Sequence, residues 1–194
     1  MGILSKHHPR FIMRNRNLAA AAVIAALLSC TYSNPVSAHV VLDTREAPAG
    51  SYFKAVFRVG HGCTGSPTTR VTVRIPDGIL SVRPQPKAGW TIDVVKKTLP
   101  APVSGPHGKV ITEVVSEISW QGGSLPDTFF DEFALQMKLP ESAPGNRLTF
   151  PVLQGCESGS RDWVEVPAPG QSRRKLTSPA PVLTLTPAGA AHKH

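Results

Sequence analysis

After residue 38 the chain is never apolar for long enough to span a bilayer, and nowhere does it sustain a 3.6-residue hydrophobic period. Those absences exclude helical membrane spans and a helix bundle for that part of the chain. Enzyme signatures are missing as well. There is no Gly-x-Ser-x-Gly elbow, no phosphate loop, no His-Glu-x-x-His and no Cys-x-x-Cys, and so no catalytic residue is assigned. The adjacent acids Asp131 and Glu132 lie in an alternating stretch, which sends them to opposite faces of a strand and rules out a close carboxylate dyad. No basic run is interleaved with aromatics, so nucleic acid is not an expected partner.

Acidic residues are absent from the first 38 positions, which carry Lys6, Arg10, Arg14 and Arg16. An apolar run from Leu18 to Leu28 follows, and then small and polar residues ending Val36-Ser37-Ala38. This pattern predicts a secretory signal peptide over residues 1–38, cleaved after Ala38 and delivering the chain to the periplasm or the exterior. Of the formal charge of +8, processing leaves 17 basic against 13 acidic residues, a net +4. The 156 residues that remain suit one domain with one core.

Only three cysteines occur, and Cys30 departs with the signal. Cys63 and Cys156 are left, and in an oxidising compartment such a pair reads as a disulfide, against the alternatives of buried thiols or thiolate metal ligands. A rival processing route makes Cys30 a lipidated N-terminus, because Leu27-Leu28-Ser29-Cys30 loosely resembles a lipobox. On that route His39 would be internal.

Downstream, strands alternate with Pro- and Gly-rich turns. Val40-Val41-Leu42 is short and β-branched, and Ala47-Pro48-Ala49-Gly50 punctuates it. From Ser51 to Val59 the residues Phe53, Ala55, Phe57 and Val59 share one face, and from Phe129 to Leu139 the odd-numbered residues do. Further strands are expected around Val71 to Ile75, Leu80 to Arg83, Thr91 to Val95 and Val110 to Trp120. Arg147 to Leu153, Trp163 to Val166 and Val182 to Thr186 complete the set. Pro100 to Gly108 is expected as loop, and Trp90 and Trp120 as core. The fold class is all-β, an antiparallel immunoglobulin-like or cupredoxin-like β-sandwich over residues 39–187, with a flexible tail at 188–194. That tail carries His192 and His194, which are treated as incidental, and His107 carries no clear signal.

Cleavage after Ala38 makes His39 the mature N-terminus. Its α-amine and Nδ1 can close a chelate ring on one metal ion, and an α-amine pKa of about 7.7 to 8.0 leaves little proton competition near neutral pH. Nitrogen donors of this kind favour Cu(II). One residue leaves the ion undersaturated. His61 is the first further candidate, in a glycine-rich loop two residues before Cys63; Glu132 is the second, an acid in a half-apolar strand. Asp43 is weaker, and Trp163 could wall the ion or simply be core.

These residues together resemble the YcnI family of exported bacterial copper-binding domains, in its disulfide-bearing branch. The resemblance rests on the His-Val start, Ala-Gly-Ser-Tyr at 49–52, Phe-Arg-Val then His-Gly-Cys at 57–63, and Pro-Lys-Ala-Gly-Trp at 86–90. It continues through Asp-Glu-Phe at 131–133 and Cys156 followed by Arg-Asp-Trp at 161–163. It implies a mono-histidine brace in which the first residue holds Cu(II) through amine and imidazole, with a carboxylate completing the set and a tryptophan nearby. His39 and Trp163 match. In the family the carboxylate comes from the loop after the second strand, where this chain offers His61 and Thr64 but no acid. Either His61 replaces it, which we favour, or Glu132 serves, or the copper site differs. The resemblance also places a Cys63–Cys156 bridge between the His61 loop and the segment leading to Trp163.

The expected function is copper storage, buffering or delivery without turnover, with a periplasmic copper chaperone or a membrane copper transporter as partner of a soluble mature form. Two alternatives stand beside it. One is a copper-dependent oxidative enzyme, against which the short length and few aromatics argue. The other is a metal-free sandwich that binds protein or glycan.

Overall fold

Alternation of buried and exposed residues builds each long strand. In β3 (Tyr52–Val59) Ala55, Phe57 and Val59 are fully buried, and in β8 (Asp131–Lys138) Phe133, Leu135 and Met137 are. The two pair antiparallel from Tyr52↔Lys138 to Val59↔Asp131, which puts both apolar rows on the same side. The computed structural model describes Gly2 and residues 39–105, 108–141 and 145–188. From Ala38 to His194 the chain forms one compact unit.

Among the described residues there are ten further strands: β1 (Val41–Leu42), β2 (Glu46–Pro48), β4 (Thr68–Arg74), β5 (Leu80–Pro84), β6 (Thr91–Ser104), β7 (Val110–Leu125), β9 (Arg147–Thr149), β10 (Val152–Cys156), β11 (Ser160–Trp163) and β12 (Val182–Thr186). They make an antiparallel sheet in the order β1-β3-β8-β5, a second in the order β11-β10-β4-β7-β6, and a small mixed sheet β2-β12-β9. The two larger sheets face each other. Trp120 of β7 meets Phe133 of β8 edge-on at 5.5 Å, and Phe57 of β3 meets Phe150 at 5.6 Å. Leu183, Leu185 and Ala47 of the small sheet complete the same core. The architecture is the expected antiparallel immunoglobulin-like β-sandwich.

Several boundaries differ from the sequence reading, each for a physical reason. Arg147 to Leu153 is two strands, because Pro151 has no N–H to donate and the chain changes sheets there: β9 pairs with β12, and β10 with β4 and β11. The strand expected from Trp163 ends at it instead, since a tight turn closed by Cys156 N–H to Gly159 O starts β11 at Ser160. Phe129, expected to continue the apolar face, precedes β8 and is exposed, as is Phe130 beside it. Pro100 to Ser104, expected as loop, belongs to β6. Its prolines fall where the β6–β7 register shifts between Thr98 and Val103, on the outer edge of the sheet, where a missing donor costs little. The signal segment with its cleavage site, Cys30, His107 and the residues from 189 onward lie outside the described residues.

Trp120 is core, as read, whereas Trp90 is partly buried and packs against the core from its rim. Trp120 is fully buried and donates Nε1–H to the Gln85 carbonyl at 3.1 Å. The Trp90 ring stands edge-on to Phe133 at 5.0 Å and lies flat over Gly123, where a Cβ would sit 2.2 Å from the indole. Only glycine leaves room for that ring. Gly123→Ala is therefore expected to push Trp90 off Phe133 and destabilise the fold by about 1 to 3 kcal/mol. Chemical denaturation followed by tryptophan fluorescence measures it, and a change below about 0.5 kcal/mol contradicts the packing argument.

Candidate functional site

His39 lies two residues before the first residue of β1, itself an edge of the four-stranded sheet, and Val40 beside it is buried. Trp163 lies on β11, an edge of the five-stranded sheet. The two edges meet here: the His39 and Trp163 rings are 5.4 Å apart at 65°. Trp163 is 1% exposed, so it is both core and the wall against which His39 rests. The Arg161 guanidinium lies 5.5 Å from the same indole and adds a cation over its face.

The loop after β3 carries His61. Cys63 and Ser66 exchange backbone hydrogen bonds across a two-residue turn in which Thr64 and Gly65 have φ of 53° and 85°. Gly62 is required for this closure, because a Cβ there would lie 1.9 Å from the Ser66 carbonyl oxygen. Cys63 is bonded to Cys156, closing a sequence separation of 93. Such a closure contributes roughly 4 kcal/mol by unfolded-chain entropy. The loop is further tied to the β10–β11 turn by Ser158 N–H to Ser66 Oγ at 2.9 Å and Glu157 N–H to the Pro67 carbonyl at 3.0 Å.

Two residues missed in the sequence organise this region. Gln154, 1% exposed, donates Nε2–H to the His61 carbonyl and to Thr68 Oγ1, each at 2.7 Å, and its Oε1 accepts Trp163 Nε1–H at 3.0 Å. One amide thus joins the His61 loop to the indole beside His39. Its signal was available: it alternates with Val152 on the inward face of a strand ending at a half-cystine. Asp127, in the loop before β8, accepts Gly62 N–H at 2.9 Å, and the same Oδ1 lies 4.0 Å from His61 Nδ1, whose hydrogen-bond partner is the Gly62 carbonyl at 2.5 Å. No local pattern marks it, since 65 residues separate it from Gly62.

The other candidates are engaged with basic neighbours. Glu132 is exposed on β8 across from Arg58, and its carbonyl accepts Lys87 Nζ at 3.1 Å. Asp43 pairs with Arg58 at 3.5 Å. Asp131 is held by Lys87 at 2.6 Å, and strand alternation keeps it on the other face from Glu132. Among the described residues no group of three or more His, Cys, Asp or Glu side chains converges as a ready metal cage. What the region offers is a histidine against a buried indole and, beside the disulfide, an imidazole–carboxylate pair. Were His39 the mature N-terminus, nitrogen and oxygen donors in this small number would fit a copper ion better than a closed structural zinc site.

Gln154→Leu removes the partner of the Trp163 N–H and of the His61 carbonyl and leaves the Thr68 hydroxyl only its weak 3.9 Å contact with Cys156 Sγ. A stability loss of about 3 kcal/mol is expected, together with a shift in Trp163 emission. An unchanged denaturation midpoint would exclude Gln154 as the link between the two loops.

No curated protein matches the chain in sequence. A solved structure described as an uncharacterized protein from Nocardia farcinica with an immunoglobulin-like fold is similar at a TM-score of 0.56 and 28% identity, over 76% of this chain and 98% of its own. The seventh ScaB type I cohesin from Pseudobacteroides cellulosolvens covers 80% of this chain and 96% of its own, at 11% identity and a TM-score of 0.35, too low to carry an argument. Residues 39–185 match the family described as "Domain of unknown function (DUF1775)", in which YcnI also falls, and the chain belongs to that family.

Proposed function

We propose that the chain is an exported copper-binding protein that holds Cu(II) at a mature N-terminal His39, and that it stores, buffers or delivers the ion without turnover. The observation that carries this reading is the contact between His39 and the buried Trp163 indole, at the residue where the family match opens. An N-terminal amine and imidazole are a copper chelate, and a ring already seated against a rigid wall has little rotamer freedom left to lose on binding. Trp163 is held in turn by Gln154, so the wall does not depend on the metal for its position.

For the remaining donors we favour His61, as the sequence suggested, and add Asp127 as the carboxylate that the loop after β3 does not itself contain. Their 4.0 Å separation and the anchoring of Asp127 by Gly62 N–H support the pair. Glu132, exposed and opposite Arg58, is the weaker choice. Copper bound there would supply a coordination centre open to exchange, and a periplasmic chaperone or a membrane copper transporter is the corresponding partner. Among the described residues no helix is long and apolar enough to cross a membrane.

The test is a Cu(II) titration of protein beginning at His39 and of protein with one alanine added before it. We expect one-to-one binding that weakens at least about 100-fold in the extended form, and thermal stabilisation equal to about 2.7 kcal/mol at a hundredfold excess over Kd. His61→Ala and Asp127→Ala are each expected to weaken binding by about tenfold. Equal binding by both N-terminal forms would overturn the brace and leave a metal-free binding module as the better reading.

A further inference from the structure

β6 and β7 outrun the sandwich. β4 ends at Arg74, opposite Glu117, whereas β7 continues to pair with β6 through Lys96↔Val115, Thr98↔Glu113 and Ser104↔Val110. This two-stranded arm stands beside the ends of β5 and β8 that lie farthest along the strands from His39, as the placement of Tyr52 and Lys138 opposite to Val59 and Asp131 requires. Between arm and body are two recesses.

The larger, about 970 Å³, has predominantly apolar walls that include Ile79, Leu99, Val103, Leu139 and Pro140. Its cations are already engaged. Lys97 is paired with Asp77 across the gap, and Lys138 donates to the Gly50 carbonyl while lying 5.4 Å over the Tyr52 ring. The smaller recess, about 710 Å³, is lined by Arg83, Lys96 and Lys109 against one acid, Glu113. Among the described residues none of those three cations forms an ion pair, and the residues outside that set contain no Asp or Glu. Tyr52, Val114 and Val115 line both recesses, so the apolar half runs into the basic half. Volumes of this order suit small organic ligands.

We propose that this groove binds one anionic amphiphile, with its alkyl chain in the apolar recess and its carboxylate or phosphate head among Arg83, Lys96 and Lys109. Complementary charge selects the occupant: an apolar ligand alone would leave three unpaired cations beside it, and a cationic amphiphile would add a fourth. A second copy of the chain adding a strand to β6 is disfavoured, since Lys96, Lys97, Pro100 and Pro102 lie on that edge and block strand addition. The occupant is a free molecule rather than a bilayer, because the apolar walls face one another across a cleft instead of presenting a flat surface.

The probe is dodecyl phosphate below its micelle-forming concentration, titrated calorimetrically, with dodecyltrimethylammonium as the cationic counterpart and phosphatidylglycerol vesicles in a sedimentation arm. Saturable one-to-one binding of dodecyl phosphate is expected, at least about tenfold tighter than the cationic analogue. The exposed double variant Lys96→Glu/Lys109→Glu is expected to weaken it by about tenfold or more, and Val103→Asp likewise, with unfolding midpoint and Cu(II) binding unchanged in the charge-reversed protein. No saturable binding of the probe, equal affinity in the charge-reversed protein, or capture by vesicles alone would each overturn the proposal.

Discussion

The buried amide of Gln154 is the contact on which the candidate site depends. It sits where water cannot reach, so all of its hydrogen-bonding partners must come from the protein, and it finds them in three different segments: the His61 carbonyl, the Thr68 hydroxyl and the Trp163 indole. A side chain with donor and acceptor at fixed separation joins a loop to a ring with defined geometry. The Cys63–Cys156 bond closes the same end covalently two residues further along β10, so amide and disulfide hold the same two segments by independent means.

With that end of the sandwich fixed, His39 needs no elaborate support. It approaches from a sheet edge, where the backbone of β1 is paired on one side only, and its ring meets a wall that the core already holds in place. The wall behind the histidine is therefore fixed by the fold itself. The opposite end is built differently. There β6 and β7 leave the sandwich once β4 stops, and a hairpin without a third strand presents side chains that a central strand would bury. The two ends of the same strands therefore offer different chemistry: donors around a disulfide at one, an apolar and basic groove at the other.

Much of the fold was legible because its signals are local. Alternation in Ser51 to Val59 and Phe129 to Leu139 named the core face of β3 and β8 almost residue by residue, since the period of a strand is a property of its own backbone. Apart from the tight turn that starts β11, the misplaced boundaries depended on a partner. Pro151 marks a change of sheet only when β12 and β4 stand on either side of it, and Pro100 and Pro102 are tolerated in β6 only because that strand has an open edge. Phe129 continued the alternation of β8 in sequence but lies beyond the end of its pairing with β3, so nothing covers it.

The site divides in the same way. His39, His61, Trp163 and the Cys63–Cys156 pair could be named from residue type and neighbours, because imidazole, indole and thiol carry their chemistry with them. Asp127 could not, since an aspartate after a proline acquires meaning only from what lies 65 residues away, and Gln154 could be placed inward by its alternation but not matched to partners up to 93 residues away. The sequence by itself determined the all-β class and the cysteine pair, because each follows from backbone periodicity or intrinsic side-chain chemistry. Tertiary structure alone decided which carboxylate stands beside His61, which polar group anchors Trp163, and where the groove opens, because those depend on contacts between segments that no local pattern encodes.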